Sequence, residues 1–240
     1  MKKEILGVKI DDITMREIID SIFNYKYEGK IIVTPNVDHI NRYNKSIKFK
    51  NAYDKADIVV NDSRILKKLS NILDNPLRYV NPGSDITKVI FEDARAKNLN
   101  ICCIGASQDD IEKIKAKYQI EEISHIEPSF GFINKESEVA EIVEQARLMP
   151  RSLFFLAVGS PRQEILAEKL KENGVKGVFL CCGASLLFLS GSEKRAPKLI
   201  QDLNLEWLFR LMQSPRRLFK RYIVEGPYIF YLVIKYKIKK

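Results

Sequence analysis

The first residues able to do chemistry follow an apolar run. After Ile31, Ile32 and Val33 come Thr34, Pro35 and Asn36, and the chain continues as VDHINRYNKS with apolar residues at helical spacing. A hydroxyl, a rigid ring and an amide in that place have two uses. Asn36 can accept from the free N–H groups of the helix while Pro35 turns the chain. Equally, the carboxyl end of a strand in an open α/β sheet is where ligands are held. Asp62 poses the same choice, because ADIVVNDS delivers a carboxylate behind Ile58, Val59 and Val60. Desolvation at such a place raises a carboxyl pKa above its usual value of about 3.9 and makes the group a better proton acceptor. The other use is local, with Asp62 or Ser63 capping the helix SRILKKLSNIL. His39, a few residues into the helix after TPN, reads as a satisfied structural histidine.

Bringing such residues together requires strands that end on one edge. Apolar runs at residues 4–10, 30–36, 57–62, 100–107, 152–160 and 176–185 read as strands. Helical patterns lie between most of them: MREIIDSIFN, the stretch from Val37 to Lys55, DITKVIFEDARAKN, QDDIEKIKAKY, SEVAEIVEQARLM and PRQEILAEKLKENG. This succession predicts an α/β fold, a largely parallel, Rossmann-like sheet with helices on both faces. Beyond Thr34 and Asp62, the strands run out into Gly105-Ala106-Ser107, Gly159-Ser160-Pro161-Arg162-Gln163-Glu164 and Gly183-Ala184-Ser185. Small residues let a ligand approach the backbone, and helix N-termini favour phosphate. A shared cleft follows.

Composition narrows the chemistry. At 240 residues and 45% hydrophobic content the chain can bury a full core, as one large domain with a modest extension. No G-x-G-x-x-G follows the first strand and no G-x-x-x-x-G-K-[ST] occurs, which disfavours dinucleotide and ATP sites. No H-E-x-x-H or Cys/His cluster suggests a metal. The cysteines form two adjacent pairs, Cys102–Cys103 and Cys181–Cys182, whose members point to opposite sides of a strand and read as buried free thiols. The opening residues hold no apolar run long enough for a signal peptide, so a cytoplasmic location is expected. The net charge of +9 lies entirely in the tail: residues 194–240 hold 12 Lys/Arg against 3 Asp/Glu, leaving 28 of each sign before them. Such a segment calls for an anionic partner, whether nucleic acid, a phosphate-bearing substrate or anionic lipid.

Taken in order, TPN, the strand-terminal Asp62, a G-S-D before a helix, IGAS, SFGFIN, VGSPRQE, GSEKRAP and LNLEWLFRLMQSPRRLFKRY resemble the WecG/TagA/CpsF family of bacterial glycosyltransferases. The match runs in register from about Ile5 to Tyr222. The resemblance implies transfer of an N-acetylmannosamine-type sugar from a UDP-sugar to a polyprenyl-diphosphate-linked N-acetylglucosamine at the inner face of the membrane. It implies inversion, no metal and no cofactor. By position it makes Asp62 the catalytic base, Thr34, Asn36 and Gln163 substrate-pocket residues, and Arg210, Arg217 and Arg221 appendage arginines that close over the diphosphate. Inverting transfer needs one carboxylate to take the acceptor's proton, and a metal-free site needs arginines for the leaving diphosphate. Two departures stand out. Asn61-Asp62-Ser63 replaces the family's usual Ala-Asp-Gly, and RYVNPGSD replaces its R-V-x-G with a shifted arginine.

The expected division is an α/β catalytic domain over 1–194 and a helical, basic, membrane-associating appendage over 195–240. The tail alternates basic residues with Phe, Tyr, Ile and Val, and its longest uncharged apolar run, YIFYLVI, is far short of the roughly 20 residues that span a bilayer. Lying on an anionic membrane surface is the physical option, against a packed terminal helix or a homo-oligomer contact. Three other readings share parts of this pattern: a family member with another UDP-hexose donor, a non-catalytic membrane-bound protein of the same fold, and a nucleic-acid-binding module. The last lacks any recognised reader motif and leaves the strand-end polar residues unused, so nucleic acid is not an expected partner.

Overall fold

The computed structural model describes residues 1–149 and 151–239. Its elements in chain order are β1 (Lys2–Ile5), β2 (Val8–Asp11), α1 (Met15–Phe23), β3 (Ile31–Val33), α2 (Val37–Lys45), α3 (Ile47–Asp54), β4 (Ile58–Val59), α4 (Arg64–Ile72) and α5 (Gly83–Glu92). There follow β5 (Ile101–Ile104), α6 (Gln108–Tyr118), β6 (Ser124–Ile126), α7 (Glu136–Arg147), β7 (Ser152–Leu156), α8 (Arg162–Glu172), β8 (Gly177–Cys181) and α9 (Ser185–Ser190). The C-terminal stretch holds α10 (Lys198–Asp202), α11 (Glu206–Gln213), α12 (Pro215–Phe219) and α13 (Tyr228–Lys239).

Six strands, β4-β3-β8-β7-β5-β6, form one sheet in which every pairing is parallel. All strands therefore end on the same edge. Because successive side chains alternate across a strand, the core divides in two. Ile31, Val33, Cys102, Phe154, Phe179 and Cys181 face α2, α3, α7, α8 and α13. Ile32, Cys103, Phe155, Leu180 and Cys182 face α1, α5, α6 and α9. The α/β fold with helices on both faces is as the sequence predicts. Each cysteine pair is split between the faces, and all four thiols are buried and free.

Two local expectations are corrected. Residues 4–10 are not one strand of the main sheet: the chain turns at Leu6 and Gly7, where both φ values are positive, and β1 pairs antiparallel with β2 in a sheet of their own. The stretch from Val37 to Lys55 is two helices, because Ser46 takes an extended conformation and its hydroxyl caps α3 by accepting from the Phe49 N–H. The structure adds β6, a short edge strand, Ser124-His125-Ile126, in which only Ile126 is buried, too little to need an apolar run.

The C-terminal stretch is fastened to the α/β unit. Ile229, Leu232 and Val233 of α13 enter the core cluster, and Asn41 Nδ2 donates to the carbonyls of Glu225 at 2.8 Å and Gly226 at 3.2 Å. One face of α13 is thus packed. Phe230, Tyr231, Ile234 and Ile238 remain exposed on the rest of it.

Candidate active site

The two uses of Asn36 turn out to be simultaneous. Its Oδ1 caps α2, accepting from the N–H groups of Asp38 at 3.1 Å and His39 at 3.4 Å. Its Nδ2 points the other way, to Asp62 Oδ2 at 3.5 Å. Parallel pairing of β3 with β4 makes this possible, since it carries Pro35 beside Asp62, whose N–H donates to the Pro35 carbonyl at 3.0 Å.

Asp62 does not cap α4. That role falls to Ser63, whose hydroxyl accepts from the Leu66 N–H at 3.3 Å. Asn61, buried beneath, accepts from the Ser63 N–H at 3.0 Å and donates to the Tyr79 carbonyl at 3.1 Å. The Asp62 carboxyl is left for the cleft, where Oδ1 accepts from the N–H of Gly83 at the start of α5, at 2.9 Å. Ser63 has φ −116° and ψ 123°, ordinary extended backbone, so the freedom of the glycine usual at this place is not needed here. Gly83, in contrast, has little room: an added Cβ would stand 2.9 Å from Thr34 Oγ1, so the threonine side chain would have to shift. Thr34, Gly83, Asp62 and Asn36 therefore follow one another as a chain of neighbours.

Burial pushes the Asp62 carboxyl above its ordinary value of 3.8, and this outweighs the opposing pull of the Gly83 N–H, the His39 ring, the Asn36 amide and the Arg210 charge. A carboxylate so placed has raised proton affinity while remaining reachable from the cleft, since its surface is only partly covered.

Gln163 is 4% exposed at the start of α8. Its Oε1 accepts from the Gly183 N–H at 3.0 Å, tying the ends of β7 and β8 together, and its Nε2 donates to Glu164 Oε1 at 3.0 Å. Further along, Gly105 follows β5, and a Cβ there would meet the Ala157 backbone and Val158 Cγ1 at 3.0 Å, so the strand-end loops pack closely at this glycine.

The three tail arginines separate. Arg210 of α11 lies over the Phe188 ring at 5.5 Å, and its charge reaches Asp62. Arg217 lines the same cleft as Arg210, with Glu193, Lys194 and Ser214, and donates to Glu193 at 2.9 Å. Arg221 instead turns to Asp38 of α2 at 3.1 Å. Arg78, the shifted arginine of RYVNPGSD, is engaged by Asp12 at 3.0 Å.

Two further residues belong to the site. Arg195, in the RAP segment, donates through Nη1 to Asp85 of α5, while its buried Nε and Nη2 have no partner among the described residues. Glu206 of α11 has its carboxyl pushed up by burial and by Asp62, against the charges of Arg195 and Arg210. Both lie inside sequence segments that stand out, RAP and LEWL, but only the fold carries them to the strand edge. Among the described residues no three His, Cys, Asp or Glu side chains gather closely enough to hold a metal ion.

This arrangement can accept a proton on Asp62 beneath paired and unpaired guanidinium groups. A profile of the glycosyl transferase WecG/TagA/CpsF family matches residues 3–240, almost the whole chain. The chain belongs to this family. It is accordingly a glycosyltransferase. Similar family members include proteins of Staphylococcus aureus strains MW2 and NCTC 8325, each 26% identical over 99% of this chain and 94% of their own length. Both carry the name N-acetylglucosaminyldiphosphoundecaprenol N-acetyl-beta-D-mannosaminyltransferase. Asn36 of TPN thus meets Asp62, and Gln163 of SPRQE meets Gly183.

Proposed function

We propose that this chain transfers an N-acetylmannosamine-type sugar from a UDP-sugar to a polyprenyl-diphosphate-linked N-acetylglucosamine, with inversion and without a metal. The observation that carries this reading is the Asp62 carboxyl, spared from helix capping, raised in proton affinity and set opposite Arg195 and Arg210. In the step, an acceptor hydroxyl oxygen bonds to the anomeric carbon from the face opposite UDP. Its proton passes to Asp62 as the carbon–oxygen bond to the diphosphate breaks, and the electron pair leaves with UDP. Charge then grows on the diphosphate. Arg195, with two donors free, and Arg210 are suited to receive it, with Arg217 at the rim.

The names of the relatives support the lipid-linked acceptor, and the surface of the C-terminal stretch fits it. No helix of the described residues is long and apolar enough to cross a membrane. Leu199, Leu203, Met212, Phe219 and Val224 are exposed between residues 198 and 224, as are Phe230, Tyr231, Ile234 and Ile238 of α13. Apolar side chains among lysines and arginines suit adsorption to an anionic inner leaflet, in the manner of a peripheral protein.

The test is release of UDP by purified protein given UDP-N-acetylmannosamine and a lipid-diphosphate N-acetylglucosamine, in buffer containing EDTA. Product with the opposite anomeric configuration is expected. Turnover only with another UDP-hexose would replace the donor. No turnover with any UDP-sugar would overturn the reading.

A further inference from the structure

Next to Asp62 in the chain stands a buried amide that the transfer step does not use. Asn61, one of the departures from the family pattern, is 2% exposed. Its Oδ1 accepts from the Ser63 N–H at 3.0 Å, its Nδ2 donates to the Tyr79 carbonyl at 3.1 Å, and its backbone carbonyl accepts from the Asn81 N–H at 2.6 Å. The amide has one orientation only, because turning it over would aim N–H at N–H and oxygen at oxygen.

These bonds run to both sides of the carboxyl. The bond to Ser63 closes an Asx-turn over Asp62 and fixes the backbone from which its side chain projects. The other two hold Tyr79 and Asn81, in the loop that leads into α5, and two residues beyond Asn81 the Gly83 N–H meets Asp62 Oδ1 at 2.9 Å. The loop is anchored from its far side as well. Asn81 Nδ2 donates to the Ile13 carbonyl at 2.9 Å, and the buried Asp12 carboxyl accepts from the N–H groups of Arg78 at 2.9 Å and Tyr79 at 3.2 Å. Asn61 is thus the one side chain bonded both to the backbone that carries Asp62 and to the loop that carries its hydrogen-bond donor.

We propose that Asn61 is a positioning residue for the transfer, clamping the Asp62 carboxyl from both sides: directly through Ser63, and through the 79–82 loop by way of the Gly83 N–H. Its effect on rate rests on the reading of Asp62 as general base; the clamp does not. Being buried, Asn61 acts through Asp62, so its loss should change the step more than the binding of either substrate. The Gly83 N–H opposes the rise in the Asp62 pKa caused by burial, and loosening it pushes that carboxyl further up. The other charged or titratable groups facing Asp62 are His39 of α2, Tyr53 of α3, Arg195 of the RAP segment, and Glu206 and Arg210 of α11. Among the described residues, none of these is bonded to Asn61.

The test compares Asn61→Ala with the parent, using UDP-N-acetylmannosamine and a short-chain lipid-diphosphate N-acetylglucosamine. The variant's kcat should fall roughly 10-fold or more, as small misplacements of reacting groups do. KM should hardly move, and the acid limb of kcat/KM should shift to higher pH. Amide hydrogen exchange reads the clamp itself: the Ser63 and Gly83 N–H groups should exchange slowly in the parent and faster in the variant. A parent-like kcat in folded Asn61→Ala overturns the positioning role. So does a fall in kcat with the acid limb unmoved, the mark of a general packing defect. Fast exchange at Gly83 in the parent overturns the clamp and needs no variant to fold. Should Asn61→Ala not fold, Asn81→Ala loosens the same loop on its Ile13 side and should give the same two kinetic changes, and parent-like kinetics there overturn the route through the loop. Absence of transfer by the parent would count against the base reading and leave amide exchange decisive for the clamp.

Discussion

Gly83 donates its backbone N–H to Asp62 Oδ1 at 2.9 Å, from the first turn of a helix that begins 21 residues further along the chain. The donor holds the carboxyl in place and opposes, without cancelling, the rise in pKa caused by burial. A group with a raised folded pKa contributes stability that is present in acid and lost as pH rises through that value. Asp62→Asn should therefore melt at a higher temperature than the parent at neutral pH, with the difference vanishing in acid. Transfer should fall on the order of 100-fold or more. Equal melting temperatures across the pH range would contradict the buried-charge account. The parent's acid limb in kcat/KM should lie above the ordinary 3.8.

Gly83→Ala tests the contact from the other side. Its Cβ would reach 2.9 Å from Thr34 Oγ1, so the threonine side chain must move. Transfer should drop about 10-fold or more because Thr34 and the Asp62 contact are displaced together. Helix α5 should survive, since alanine suits its first turn. Circular dichroism and rate together check this, and an unchanged rate would show that Thr34 has no fixed place in the reaction.

The arginines should divide by what they are free to do. Arg195→Gln removes two buried donors that have no partner among the described residues and should cost roughly 100-fold or more in kcat/KM. Arg217→Gln removes a more exposed group already paired with Glu193 and should cost less. A reversed order would place the departing diphosphate under the rim instead of under the RAP segment.

Anchoring should be separable from chemistry along α13. Phe230, Ile234 and Ile238 are exposed, while Ile229, Leu232 and Val233 hold the helix to the core. Replacing the first three with serine should weaken sedimentation with anionic vesicles and spare transfer to a short-chain, water-soluble acceptor. Unaltered vesicle binding would assign the membrane contact elsewhere, with the exposed Leu199, Leu203 and Met212 as the next residues to change.

What the sequence by itself determined follows from signals that act over a few residues. Continuous apolar runs marked β3, β5, β7 and β8 as buried parallel strands, because only a sheet covered on both faces buries every side chain of such a run. Adjacent cysteines had to face opposite sides for the same reason. The order of TPN, P-x-Q-E and RAP carried the family, and Asp62 stood out as a charge at the end of an apolar strand. The β1–β2 hairpin was missed because positive φ at Leu6 leaves no mark in residue type, and β6 because an edge strand buries too little to need an apolar run. Tertiary structure alone decided which strand-end groups meet. Ser63 took the capping role and so freed Asp62; Arg195 found Asp85 across 110 residues; Asn61 found the Tyr79 carbonyl across 18. Such contacts depend on strand order and on which helix covers which face, and a charge or an amide looks the same in sequence whether its partner is water or a buried carbonyl.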